Sequence, residues 1–423
     1  MKSGIYILIS KILKHCHCPQ AESGNSEDTE FSHFLVQCIG ITISSLSICA
    51  NETDPRILIM KEDPDAQTFF YKQLKFLTDL HEQSSCQRML SQYTSAIFLK
   101  IILPMSISLE SEKSKIQTDP WEFVSFSLDM IGKQASKVPK MQAIYLWELL
   151  GDHMDGFVSY GVNMLIQSFE LLVSISMTSN SSLITDPKLI TEMFPKTRDI
   201  IDTAFWNNYN SEQKLDSILV LLADAAYWWE QRRDILMAFE FRLSTVLSGL
   251  LATTSPMISC RLLMLFGQYK SYLFLEPSYS DNFKSVIQFI INSVLLWSDA
   301  DANMGGGHSG QNEYLTIKLQ AIETLSSFLN KEDLWDKGHL YTKLKPYMGD
   351  VLNVLSKSFH TNSDVKLVST IRDIFRCFGF VIVNSDQSAL TDLLAKTAGK
   401  ASREIQNCAN SINYVSKTTA FEC

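Results

Sequence analysis

Apolar residues recur at intervals of three and four along most of this chain, the spacing that lines one face of an α-helix, and polar clusters punctuate them. After a polar linker from Pro19 to Glu30, a helix is predicted with Phe34, Leu35, Cys38 and Ile41 on one face. A helix pair runs from Asp65 (Phe69, Phe70, Leu74, Leu77) to Ile102 (Met89, Tyr93, Ile97, Phe98, Ile101), turning at Ser84 and Ser85. Beyond Pro120, one helix is predicted from Lys140 to Leu150, a turn at Gly151 and Asp152, and a second helix from Met154 to Met177. The stretch Thr178 to Pro187 is a Ser/Asn/Thr-rich loop, and its Thr185-Asp186-Pro187 reads as a helix start.

The second half repeats the pattern. Helices are predicted at Ser211 to Trp228 and Glu230 to Leu251, at Ser255 to Leu275 and Ser280 to Trp297, and at Asn312 to Leu329 and Leu340 to Phe359. A last pair covers Ser363 to Phe380 and Gln387 to Ile405. The starts at 211, 255, 312 and 363 are 44, 57 and 51 residues apart. Without the loop at 298–311 the middle interval shrinks to about 43, within the roughly 40–47 residues of a HEAT repeat. A two-helix unit cannot cover its own apolar face, so such units stack on their neighbours. The expectation is an all-α, HEAT/armadillo-like α-solenoid of antiparallel helix pairs. It divides into an N-terminal segment and linker at 1–30 and a solenoid at 31–423 with a flexible inter-repeat loop at 298–311. Trp228, Trp229, Trp297 and Trp335 are read as fillers of inter-helix joints.

Composition agrees with long helices and short turns. The 423 residues include only 17 Gly and 11 Pro, and the length exceeds what one core holds. The net charge of −9, with no run of Lys or Arg longer than two, lacks the concentrated basic face that phosphate binding needs, so no direct nucleic-acid role is expected. An acidic surface favours basic protein partners. Nine cysteines, scattered and mostly within apolar runs, read as free thiols in a reducing compartment. On that reading the glycosylation sequons at Asn51 and Asn180 carry no meaning. Lys11 interrupts the apolar N-terminus Ile5 to Leu13 and no cleavage pattern follows, so a helical segment is expected there rather than a signal peptide. The longest apolar run, Phe157 to Met177, contains Glu170 and reads as a core helix, and no membrane insertion is expected.

Three clusters invite a chemical reading. His15-Cys16-His17-Cys18 offers zinc-type donors, but four consecutive residues cannot converge on a tetrahedron and no second pair follows at ligand spacing. Gly307-His308-Ser309-Gly310-Gln311 nearly spells a nucleophile elbow, yet polar residues replace the preceding strand and Gln311 replaces the closing glycine. The glycines from Gly305 also lack the Gly-Lys-Ser/Thr ending of a phosphate loop. Asp152, His153 and Asp155 lie together at a helix turn without a nucleophile, as a solvated cap would. No catalytic, metal or cofactor site is expected, and the chain is not expected to be an enzyme.

Specific words then suggest a family. Ile101 to Ser108, followed by Thr118-Asp119-Pro120-Trp121-Glu122-Phe123-Val124, resembles the import-receptor succession of an apolar helix, a short helix and a D/N-P-x-x-F-V step. Trp228-Trp229 before a long helix, and Ser255-Pro256 with Arg261 six residues after the serine, are similar to later elements of the importin-β superfamily (karyopherins) in the same order. The resemblance spans roughly residues 90 to 380 and is nearest the importin-nine-like receptors, which carry histones and other basic proteins. It implies a receptor shuttling between cytoplasm and nucleus that binds protein cargo, Phe-Gly nucleoporins and Ran-GTP. The runner-up is a HEAT scaffold subunit of a larger assembly without a transport role. Prolines 120 and 256 are expected to set φ at helix starts, and Arg261 to satisfy carbonyls or a carboxylate within the stack. Three departures stand out. Ser125-Phe126-Ser127-Leu128 replaces the acidic run after the F-V step, Glu230 replaces a lysine, and the family's N-terminal Ran-binding repeats have no counterpart before residue 90.

Overall fold

The computed structural model describes residues 26–51, 64–82, 84–131, 138–153, 155–177, 192–228, 232–303, 308–328 and 338–347, with isolated positions beyond. Every regular element among them is helical and none is a strand, so the described residues form an all-α structure. Two compact units form: Met1–Lys113 with Phe126–Leu250, and Ser114–Ser125 with Leu251–Cys423. Each unit is made from two stretches of chain, where the sequence suggests one continuous solenoid over 31–423.

The first unit opens with α1 (Ser26–Asn51), which begins inside the expected linker. Its buried stripe is Leu35, Ile39, Thr42, Ile43 and Leu46, whereas Phe34 is 48% and Ile41 64% exposed. The expected face is therefore rotated: Leu35 belongs to it, and Phe34 and Ile41 do not. Then come α2 (Pro64–His81), α3 (Ser84–Ser91) and α4 (Thr94–Ile97). Ser84 and Ser85 open a short helix rather than forming the turn. A π-helical turn, Phe98–Ile102, leads from α4 into α5 (Leu103–Met105). Pro104 explains it: proline has no N–H for the carbonyl four residues back, so the helix widens locally instead of breaking.

Next in the chain are α6 (Glu110–Thr118) and α7 (Pro120–Ile131), whose residues 114–125 belong to the second unit, and then α8 (Pro139–His153) and α9 (Asp155–Met177) of the first. Pro120 opens α7, and Asp119 caps it by accepting the Glu122 N–H at 3.0 Å. The turn expected at Gly151 lies instead within α8. A Cβ on Gly151 would overlap the ring of Trp228, so its bare backbone admits the indole. The short helices α10 (Arg198–Ile201) and α11 (Ala204–Asn208) set Phe194, Ile201 and Trp206 against Leu171 and Ile175 of α9. In α12 (Ser211–Asp224), Asn210 and Gln213 form a capping box. Its residues Asp216 to Asp224 are all buried, the mark of a helix at the centre of a core. A 3₁₀ turn, Ala225–Trp228, and α13 (Arg233–Leu251) complete the unit.

The second unit contains α14 (Pro256–Tyr269), α15 (Ser280–Asn303), α16 (His308–Phe328) and α17 (Gly338–Leu344). Ser255 caps α14 by accepting the Ile258 N–H at 3.3 Å, and Pro256 is its first residue, as the sequence implied. The loop expected at 298–311 is largely helical, because α15 runs to Asn303 and α16 starts at His308. Once the apolar part of α15 nucleates the helix, extension through the Ala- and Asp-containing tail costs little. The helices predicted beyond 359 lie outside the described residues.

α14 and α16 run in the same direction. Thr324 Oγ1 donates to the Leu263 carbonyl at 2.8 Å, and four residues along α14, Ser327 Oγ donates to the Gly267 carbonyl at 3.3 Å. Small residues at 267, 324 and 327 allow this close approach, since a Cβ on Gly267 would stand 3.2 Å from Ser327 Oγ. In the first unit, α9 and α13 meet through Phe169 and Phe239, whose centroids are 6.4 Å apart, and through Arg242 and Glu170 at 2.7 Å.

Candidate functional site

The largest aromatic joint of the first unit forms around Trp147 of α8, which is fully buried. Its ring stacks on Phe98 of the π turn at 5.1 Å and meets Phe157 of α9 edge-on at 5.4 Å. Trp228 approaches it edge-on at 4.9 Å, between the joint and Gly151. Such edge-to-face sets each add about 0.5–1.5 kcal/mol beyond their buried area. Trp228 thus fills a joint as expected. Trp229, Trp335 and the side chain of Trp297 lie outside the described residues. Neither Trp147 nor Gly151 was singled out as a partner of Trp228, because nothing in the local sequence links positions so far apart.

In the same unit a half-open cleft of about 220 Å³ lies between the start of α8, α5, α2 and the first turn of α12. Phe70, Pro104, Met105, Ile107, Leu109 and Pro139 give it apolar walls. One edge is a buried polar clamp. Lys140 Nζ, on the first turn of α8, donates to Glu112 Oε2 at 2.7 Å and to Ser108 Oγ at 3.1 Å, and both ion-pair side chains are under 10% exposed. The Ser108 N–H donates to Asp216 Oδ2 of α12 at 2.9 Å, and Ser217 Oγ to the Leu103 carbonyl at 2.7 Å. The connection at 106–109 is therefore tied to α8 and α12. Glu112 lies in the first turn of α6, where the helix dipole favours a carboxylate. Tyr209, also on the cleft wall, has its phenol pushed up to about 12 by burial.

The proximity of Ser108 to Lys140 resembles a serine–lysine nucleophile pair, but the surroundings oppose that chemistry. A base needs an available nitrogen lone pair, whereas Lys140 stands in a close ammonium–carboxylate pair with Glu112. Ser108 is itself 2% exposed, and its N–H serves Asp216 instead of facing the cleft as an oxyanion donor. The arrangement positions backbone. Taking such a pair out of water costs several kcal/mol per ion, and Coulomb attraction with additional hydrogen bonds offsets that cost. In the sequence Lys140 marks only the start of a helix, by its place after Pro139.

In the second unit, two residues of the import-receptor resemblance, Phe123 and Arg261, meet one another. Arg261 is 1% exposed, and its guanidinium lies 5.3 Å from the centroid of the Phe123 ring. The segment 114–125 is also held by α16: Thr316 Oγ1 donates to the Ile116 carbonyl at 2.7 Å, and Asn312 Nδ2 to the Gln117 carbonyl. Arg261 was expected among carbonyls or a carboxylate, and its stacking on Phe123 is an addition to that reading.

The remaining candidates are placed as follows. His15 to Cys18 and Gly305 to Gly307 lie outside the described residues. His308, Ser309 and Gly310 open α16. Asp152 and His153 end α8 and Asp155 opens α9, with side chains outside the described set. Among the described residues, no group of three or more His, Cys, Asp or Glu is placed to hold a metal. Burial pushes the Cys260 thiol up to about 12. The segment Thr94–Thr118 has a window with a mean hydropathy of 1.3, and 67% of that window is buried within the fold. Compared with protein-family models, with curated proteins and with solved structures, the chain matches none of them.

Proposed function

We propose that this chain is a protein-binding scaffold of HEAT type and, by its sequence resemblance, a nuclear import receptor. The observation that carries the scaffold reading is the parallel packing of α14 on α16, although α15 lies between them in sequence. Alternate helices stacking in the same direction are what a two-layer helical repeat requires. The α9–α13 contact within the first unit agrees with it. The receptor reading draws on the Phe123–Arg261 stack, which gives two of the family-like words a shared structural purpose. In this reading the chain binds protein cargo with a basic surface, and Phe-Gly nucleoporins carry it between cytoplasm and nucleus. Ran-GTP competes for the cargo-bearing surface and releases the load. Each step is differential binding, with no bond made or broken.

One observation favours the second reading, a HEAT scaffold subunit without a transport role. Where import receptors place an acidic run, residues 125–128 continue α7, and Ser127 is buried. A pull-down with GTP-loaded Ran and with Phe-Gly repeats separates the two. Capture of either supports transport, and capture of neither leaves the scaffold reading.

A further inference from the structure

The cleft of the first unit has a shape and charge that specify an occupant. Its volume of about 220 Å³ is below the roughly 300–1,000 Å³ of pockets that hold drug-sized ligands, so it suits one side chain rather than a nucleotide or cofactor. Phe70, Met105, Ile107 and Leu109 make its walls apolar. The charges are unequal in availability. Lys140 is consumed by Glu112 and Ser108 beneath the surface, whereas Glu110 stands at the rim with its side chain 78% exposed. It pairs with Lys113 at 2.7 Å, an exposed helix pair of the kind worth less than about 1 kcal/mol and easily exchanged. An incoming chain therefore meets an apolar hole beside an available carboxylate.

We propose that this cleft anchors a linear segment of a partner protein by one aliphatic side chain, with a lysine or arginine beside it facing Glu110. The proposal rests on the protein-binding reading above and names the partner chemistry at that site. The buried clamp supports it physically. By tying 106–109 to Lys140 and Asp216, it holds the apolar wall open before the partner arrives, which lowers the ordering cost of binding.

The test uses the full chain and three fluorescein-labelled, end-capped peptides of serine and glycine around a central leucine. The leucine is followed by lysine, glutamine or glutamate, and binding is read by polarisation. The lysine peptide is expected to bind tightest and the glutamate peptide weakest, with steps of about two- to fivefold, the range of an exposed ion pair. Glu110→Lys, with its fold checked by far-UV circular dichroism because it replaces a first-turn carboxylate, is expected to reverse that order. Leu109→Trp, which fills the cleft, is expected to remove binding of all three. Equal binding of the three peptides, no binding by any of them, or an order unchanged by Glu110→Lys overturns the proposal. Equal binding identifies an unselective apolar crevice. Because the pull-down with Ran and nucleoporin repeats is scored separately, its failure removes the transport reading without changing this result.

Discussion

Gly151 and Trp228 show how one missing methyl decides a joint. The helix α8 continues through Gly151 because the indole lies on it, and Trp147 completes the contact from the other side. Gly151→Ala is expected to destabilise the chain by about 1–3 kcal/mol, the usual cost of overpacking a filled core. In denaturant melts, Trp228→Ala costs about 3–5 kcal/mol by itself. Adding Gly151→Ala to it should then cost almost nothing, since the clash has gone; additive losses would sink the assignment. Two phenols set a pH dependence at the same scale. Tyr160, through burial and its hydrogen bond to Asp199 at 2.7 Å, and Tyr209, through burial, are each raised from 10.0 to about 12. The unfolded chain loses these protons first, so their stabilisation is complete below pH 10 and falls away as pH rises towards 12. Urea midpoints measured from pH 9 to 11.5 should decline, and Tyr160→Phe or Tyr209→Phe should flatten the decline. A steeper slope in either variant contradicts the assignment.

At the scale of the element, local chemistry sets most starts and stops. Asn210 accepts the Gln213 N–H at 2.8 Å while Gln213 Oε1 accepts the Asn210 N–H at 3.1 Å, so α12 begins with two of its orphan donors satisfied. Asn210→Ala is expected to cost about 1 kcal/mol, and amide exchange at Gln213 should quicken, whereas Ser211→Ala should do neither. The π turn at Phe98–Ile102 has an equally local cause in Pro104, yet it serves a larger purpose by turning Phe98 onto Trp147. α1 illustrates the limit of periodicity. Its residues offer two overlapping apolar stripes, and packing selected the one with Leu35, Ile39 and Leu46 while leaving Phe34 and Ile41 in solvent.

The whole molecule is discontinuous in a way that a repeat count does not reveal, because residues 114–125 belong to the second unit. There they cover Arg261 and accept the hydroxyl of Thr316. A fragment beginning at residue 251 should consequently be less stable than the same unit in the full chain. Adding a peptide of residues 110–131 should raise its melting temperature by several degrees, and a peptide carrying Phe123→Ala should do so less. No effect of either peptide would contradict the shared core.

The helical class, the helix starts at Pro120, Ser211 and Pro256, and the absence of strands among the described residues are legible from sequence, because they depend on spacing and on groups within a few residues. The candidate cleft was not. Lys140, Glu112, Ser108 and Asp216 stand on separate elements, with up to 108 residues between hydrogen-bonded partners, and each alone looks like an ordinary polar residue on a helix or loop. Gly151 reads as a turn in the sequence for the same reason, since glycine serves equally at a chain reversal and under an aromatic ring. The sequence by itself determined that this chain buries helices against helices. Only tertiary packing decided which faces are buried, which charges are neutralised inside, and where an apolar hollow is left beside an available carboxylate. Those outcomes depend on side chains meeting across long separations, and nearest-neighbour preferences carry no information about such meetings.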